Sequence, residues 1–243
     1  SGGQEEGGRV RRSVVAAEQV RTRLAEVGER IAAAAHGAGR DPNDVEVVLA
    51  TKYVPAEHMH VLLEAGVRLV SENRAQDLLA KYALYGDRFT WDFIGHLQSR
   101  KTKQVLPLVR LIHSVGSLSV VQELQRRAEN KVNVLLEINV AAEGSKSGVL
   151  PEEVDRFLET ASAYTKVQFA GLMCMPPLTR QAGGAAPYFA QTRALAARLS
   201  AAWDGRYTFA ELSMGTSAGR GSFTRCPVSR ASLYPSPVEP VEG

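Results

Sequence analysis

Seven short runs rich in β-branched residues, each leading into a longer segment of helical period, constrain this chain more than any other feature. They are VEVVLAT (45–51), VRLVS (67–71), TWDFIG (90–95), LIHSV (111–115), VNVLLEINV (132–140), VQFAGLM (167–173) and TFAELSM (208–214). Between them lie a helix opened by Pro55, the segment ENRAQDLLAKYALY, a basic helix from about Ser99 to Leu106, SLSVVQELQRRAEN, PEEVDRFLETASAY, and a helix from about Gly184 to Trp203. The runs are nearly continuously apolar rather than alternating, which implies a parallel sheet covered on both faces. A (β/α)8 barrel or a doubly wound open sheet would satisfy that pattern. The TIM-type α/β barrel is favoured, because the polar and glycine-rich residues collect at strand C-terminal ends: Lys52, Glu72 with Asn73, His96, Asn139, Met173, and Ser213 to Gly215. Barrels of this kind build their working face there.

Upstream, Val14, Val15, Val20, Leu24, Val27 and Ile31 recur at helical intervals from Arg9 to about His36, where HGAGRDPND stops the helix. This leading helix follows SGGQEEGG, read as a disordered tail over residues 1–8 without the order of a secretory signal. Residues 9–217 then form one barrel domain. With 44% hydrophobic and 23% charged residues the composition is that of a globular protein, and no apolar run is long enough to span a bilayer. A net charge of +3, with arginines interleaved among alanine, valine and glutamate in RVRRSVVAAEQVRTR, predicts neither nucleic acid nor membrane as a partner. Cys174 and Cys226 form no CxxC pair, which suits a reducing compartment and places the protein in the cytoplasm.

Lys52 is the sharpest chemical candidate. An ammonium at the end of a buried strand is costly to desolvate, which favours the neutral amine that attacks carbonyls. The same position also fits a lysine that snorkels out of the mouth. In IGHLQSRKTK (94–103) basic side chains crowd a helix start that already attracts anions, which fits an anionic ligand or a solubilising surface. SKSG (145–148) is a polar loop with Lys146 able to close over a ligand, and SMG (213–215) pairs a hydroxyl with a glycine where barrels bind phosphate. Met173, Cys174 and Met175 read as rim packing. His58 and His60 face different sides of a helix, and no HExxH, GxGxxG, GxSxG or P-loop pattern occurs, so metal and dinucleotide chemistry lack a signature.

Taken in order, VVLATKY, SENRAQD, FIGHLQSRKTK, LLEINVAAEGSKSGV, GLMCMPP and ELSMGTS closely resemble the pyridoxal phosphate (PLP) homeostasis protein family, whose barrel is similar to that of alanine racemase. The resemblance implies that Lys52 holds PLP as a Schiff base and that Asn73 and His96 line the cofactor. It further implies that Ser213 and Gly215 help hold the phosphate, that Lys146 and Met173 lie close by, and that the protein is a monomer. The implied role is PLP binding in vitamin B6 balance without catalytic turnover, with PLP-dependent apoenzymes as recipients. A PLP-dependent racemase or lyase of the same barrel type is the alternative. Alanine racemase-like enzymes carry a second domain and borrow a tyrosine from a partner subunit, and without such a second acid or base proton transfer on two faces of a substrate lacks one of its groups. A third reading, an aldolase-type amine on a phosphorylated substrate, is opposed only by the wider motif match.

In the family an acidic helix and an eighth strand follow SMG. Here residues 218–243 are rich in Pro, Gly, Ser and Arg, lack helical period, and read as an atypical disordered tail. The expectation is a barrel that lacks its parallel eighth strand and leaves edges open beside the first and seventh. A reading-frame change near Ser217 is the hypothesis that accounts for this composition, and translating the encoding DNA in its other frames tests it.

Overall fold

The computed structural model describes residues 3–142, 147–177, 184–215 and 222–227. A long helix, α1 (Gly3–Gly37), leads the chain and packs on α2 through a face that includes Val20 and Leu24. It begins inside the segment expected to be a disordered tail. Gln4, Glu5 and Glu6 are residue types of good helix propensity, which suits a helix that begins at Gly3.

The strands are β1 (Glu46–Ala50), β2 (Leu69–Glu72), β3 (Thr90–Phe93), β4 (Leu111–Val115), β5 (Val132–Ile138), β6 (Val167–Cys174), β7 (Glu211–Gly215) and β8 (Ser222–Pro227). Between them run α2 (Met59–Glu64), α3 (Ala75–Tyr85), α4 (Thr102–Val105), α5 (Leu118–Arg127), α6 (Val154–Ala161) and α7 (Ala186–Ala202). The eight strands hydrogen-bond in chain order into a closed barrel. From β1 to β7 every neighbouring pair is parallel, as the covered, apolar strands require.

Closure differs from the expectation. The segment Ser222–Pro227, assigned by its composition to a disordered tail, is a strand antiparallel to both neighbours, paired with β1 at Glu46 to Leu49 and with β7 at Glu211 to Gly215. Both edges expected to be open are therefore paired. The physical reason for the direction is length: only residues 216–221 separate β7 from β8, whereas a parallel crossover needs about a dozen residues or more. Lys146, Ser217, residues 218–221 and residues 228–243 lie outside the described residues.

The core has two layers. Val70, Trp91, Phe93, Ile112, Val134, Leu136, Leu172 and Leu212 point outward and meet the helices, while Val48, Ala50, Ile94, Leu111, Leu135, Ala170 and Met173 fill the barrel. Alternation along each strand therefore sends the intervening residues of β3, β4, β5 and β7 into the interior as well. Among them are Asp92, His113, Glu137 and Ser213, all buried. Gly171 has a structural duty: a Cβ there would stand 1.9 Å from the Glu211 carbonyl oxygen, so the close approach of β6 and β7 depends on its absence.

Candidate functional site

Lys52 stands two residues past the end of β1. The Thr51 amide donates to the Ser71 carbonyl at 2.9 Å, extending the ladder one residue, and the Val54 amide then turns back onto the Thr51 carbonyl at 2.8 Å. Lys52 is therefore delivered at the mouth by a strand and held there by a tight turn. Its side chain is half-buried, with Nζ 5.0 Å from the centre of the exposed Tyr53 ring. Among the described residues it forms no ion pair.

The turn is anchored from behind. Lys81 on α3 donates to the Thr51 carbonyl at 2.7 Å and pairs with Glu72, whose Oε1 also accepts from the Thr51 hydroxyl at 2.6 Å. Lys81 and Glu72 are buried, 5% and 0% exposed, so this ion pair is desolvated and its geometry is fixed by hydrogen bonds on both sides.

The next two exits are built in relation to each other. Asn73 follows β2 and is half-buried; His96 follows β3 and is exposed. Between them Gly95 presses on the Asn73 backbone so closely that a Cβ would lie 1.9 Å from the Asn73 carbonyl oxygen. The Ser114 hydroxyl, from β4, donates to the Gly95 carbonyl. Three strand ends are thereby coupled through backbone contacts.

Beneath the mouth a polar chain crosses the interior. Arg110 forks onto Asp92, with Nε to Oδ1 at 3.0 Å and the second amine to Oδ2 at 2.6 Å, and also reaches Glu46 at 3.0 Å. Asp92 Oδ2 lies 3.1 Å from His113 Nε2, and His113 Nδ1 lies 2.7 Å from the Ser213 hydroxyl. Burial pushes the Asp92 carboxyl up, but the hydrogen bonds from His113 and Arg110 outweigh it and hold the group below the usual carboxylate range. An ionised Asp92 only accepts, so it places an imidazole proton on Nε2, while Nδ1 engages the Ser213 hydroxyl. Ser213, expected at a phosphate, thus directs its hydroxyl to His113. Gly215 ends β7 at the mouth, buried and in register with Phe223 of β8.

On β5, Glu137 is the residue whose importance sequence reasoning missed. Its Oε1 accepts from Ser147 at 2.7 Å, while its Oε2 is buried with no partner among the described residues. Burial raises the carboxyl above its ordinary range, and neither the Ser147 hydrogen bond nor the nearby His96 cancels that effect. The only signal in the sequence was an acid inside the otherwise apolar VLLEI. Met173 of β6, in register with Glu137 of β5 and with Ser213 of β7, is fully buried and closes the barrel below the mouth. The structure therefore gathers Lys52, Asn73, His96 and Gly215 at the C-terminal mouth, sets Met173 and Ser213 into its floor, and adds Glu137. Among the described residues no cluster of His, Cys, Asp and Glu could hold a metal ion, and no helix is long and apolar enough to cross a membrane.

Residues 50–227 match the family of the alanine racemase N-terminal domain. A pyridoxal phosphate homeostasis protein of Aquifex aeolicus is 36% identical over 199 residues, covering 80% of this chain and 86% of its own length. One of Pseudomonas aeruginosa is 34% identical, over 80% of this chain and 84% of its own. Among solved structures, PipY of Synechococcus elongatus with PLP bound is 30% identical, with a TM-score of 0.65 over 79% of this chain and 90% of that one.

Proposed function

Because this chain belongs to the pyridoxal phosphate homeostasis protein family, we propose that it binds PLP in the barrel mouth, with Lys52 as covalent anchor, and serves intracellular vitamin B6 balance without turning over a substrate. The observation that carries this reading is the state of Lys52: an amine fixed at a strand exit, half-buried, and paired with no carboxylate among the described residues. An ammonium locked in an ion pair would resist becoming a nucleophile; this one does not face that obstacle. The cofactor supplies an aldehyde that such an amine can hold covalently.

Two features of the mouth support the fit. Gly95, Gly116 and Gly148 keep its rim free of side chains where a Cβ would collide with or crowd backbone, and the buried Oε2 of Glu137 has no partner among the described residues. Asn73 and His96 line the ligand from the exits of β2 and β3, Met173 supports it from below, and Lys146 contacts its anionic part. Ser213 and Gly215 shape the phosphate end, Ser213 by way of its bond to His113. Among the described residues the closed ring leaves no strand edge unpaired, which removes one route to association and supports a monomer; its proposed place is the cytoplasm, where it passes PLP to apoenzymes.

The test is the intact mass after incubation with PLP and borohydride. One pyridoxyl phosphate should add to the wild type and none to Lys52→Ala. Absence of an adduct at Lys52 in folded protein would overturn the reading. One observation favours turnover instead: β5, which carries Glu137, stands opposite β1 in the ring of eight. Exchange of an amino acid α-hydrogen with solvent would decide for that alternative.

A further inference from the structure

We infer that Glu137 is the acid that faces the bound ligand, donating a hydrogen bond from Oε2 when protonated and repelling the anionic ligand when ionised. This rests on the reading of the mouth as a PLP site and adds a residue that the sequence motifs did not single out.

The geometry comes first. Alternation along β5 sends Glu137 inward beside Leu135, at the last inward position before the strand exits. Only 8% of the residue is exposed, and its two oxygens are treated differently. Ser147 donates to Oε1 at 2.7 Å, which uses the acceptor side of the carboxyl, while Oε2 has no partner among the described residues. Gly116 also leaves space beside Oε2, since a Cβ built there would stand 3.7 Å from it. A buried polar atom left in this state is destabilising unless something else satisfies it. Since the strand lies across the ring from β1, a ligand anchored at Lys52 and extending over the mouth supplies the missing acceptor.

The groups facing Glu137 decide which protonation state it holds. From the exit of β3 comes His96; from the loop after β5, the Ser147 hydroxyl; from β4, the Gly116 backbone; and from β6, Met173 alongside. No described cation is hydrogen-bonded to the carboxyl, and burial holds it above the ordinary carboxylate range. As the protonated acid it is a donor, which is what the oxygen atoms of an anionic ligand need. As the carboxylate it offers only lone pairs and a like charge.

The experiment follows PLP affinity against pH by the absorbance of the bound cofactor, in wild type, Glu137→Gln and Ser147→Ala, with the borohydride adduct at Lys52 measured in parallel on each. Gln keeps the shape and an N–H donor but cannot titrate. In wild type, affinity should fall by about tenfold per pH unit above the Glu137 transition, as one-proton linkage requires. Glu137→Gln should abolish that component while still forming the adduct. Ser147→Ala, which removes a bond favouring the ionised form, should move the transition to higher pH. His96→Gln, measured beside them, separates any titration of the imidazole. An adduct at Lys52 with the pH profile unchanged in folded Glu137→Gln would overturn the inference and leave the proposed function standing. No adduct in wild type would overturn both.

Discussion

Lys81 Nζ, on α3, lies 2.7 Å from the carbonyl oxygen of Thr51, the residue immediately before Lys52. The ammonium is paired at the same time with Glu72, which in turn receives the Thr51 hydroxyl. The backbone that presents Lys52 is thus clamped by a desolvated ion pair twenty to thirty residues further along the chain.

Replacing Lys81 with Met should leave Glu72 charged and uncompensated in the interior, a loss of about 3–5 kcal/mol. Urea denaturation would measure it. The double variant Glu72→Gln, Lys81→Met should recover part of that loss, because neither charge then remains buried. In both, the Lys52 adduct should form more slowly than in wild type. A single variant as stable as wild type would show that the pair contributes nothing.

Gly95→Ala tests the coupling of the strand exits. The added methyl would meet the Asn73 carbonyl oxygen at 1.9 Å, and backbone cannot yield as a flexible side chain can. A loss of about 1–3 kcal/mol is expected from such overpacking, with weaker PLP binding as Asn73 and His96 shift. An unchanged denaturation midpoint and affinity would show that the two loops move independently.

Two buried acids should give opposite pH dependences in the ligand-free protein. Asp92 has a folded-state pKa below its unfolded value, so its contribution is present above the ordinary carboxylate range and is lost as pH falls through the lowered value. Glu137 has a raised folded-state pKa, so its contribution is present below the unfolded value and is lost as pH rises through the raised one. Thermal melts across pH should accordingly show Asp92→Asn blunting the acid-side loss and Glu137→Gln blunting the loss above the carboxylate range. A melt profile of either variant parallel to wild type would contradict its assignment.

Cys174 should resist alkylation in the folded state. It is fully buried on β6, and burial pushes its thiol up to about 11 despite a hydrogen bond with Thr192. At pH 8 a thiol of that kind is ionised in about one molecule in a thousand, and the thiolate is the nucleophile. Mass spectrometry after iodoacetamide should find Cys174 modified only when denaturant is present; rapid labelling of native protein would mean that β6 opens readily.

The order of strands and helices was legible in the sequence because it is written locally. LIHSV (111–115) corresponds residue for residue to β4, and VNVLLEINV and VQFAGLM differ from β5 and β6 only at their ends. Apolar runs bounded by helical segments can bury both faces in few ways, so a covered parallel sheet and the placement of Lys52 at a strand exit follow from pattern alone, and the polar residues gathered at strand ends favour the barrel over an open sheet. The short SFTRC within the tail was not legible. Its β-forming residues are flanked by Gly, Pro and Ser, and what makes it a strand is the pair of unsatisfied edges that β1 and β7 present to it.

The floor of the site was decided only by the tertiary structure. His113 and Ser213 stand a hundred residues apart, yet their side chains bond at 2.7 Å because β4 and β7, three places apart in the closed ring, both turn these residues into the barrel interior. Nothing near either residue in sequence announces that contact. Lys81 reads as one more polar residue on an amphipathic helix until α3 folds it under Thr51, and Glu137 reads as a flaw in an apolar strand until closure turns it inward. Local pattern fixed which residues form strands and where each strand ends, since hydrogen-bonding period and burial act over a few residues. Which buried polar groups meet, and which is left for a ligand, depended on ring closure, because only closure sets distances between strands remote in sequence.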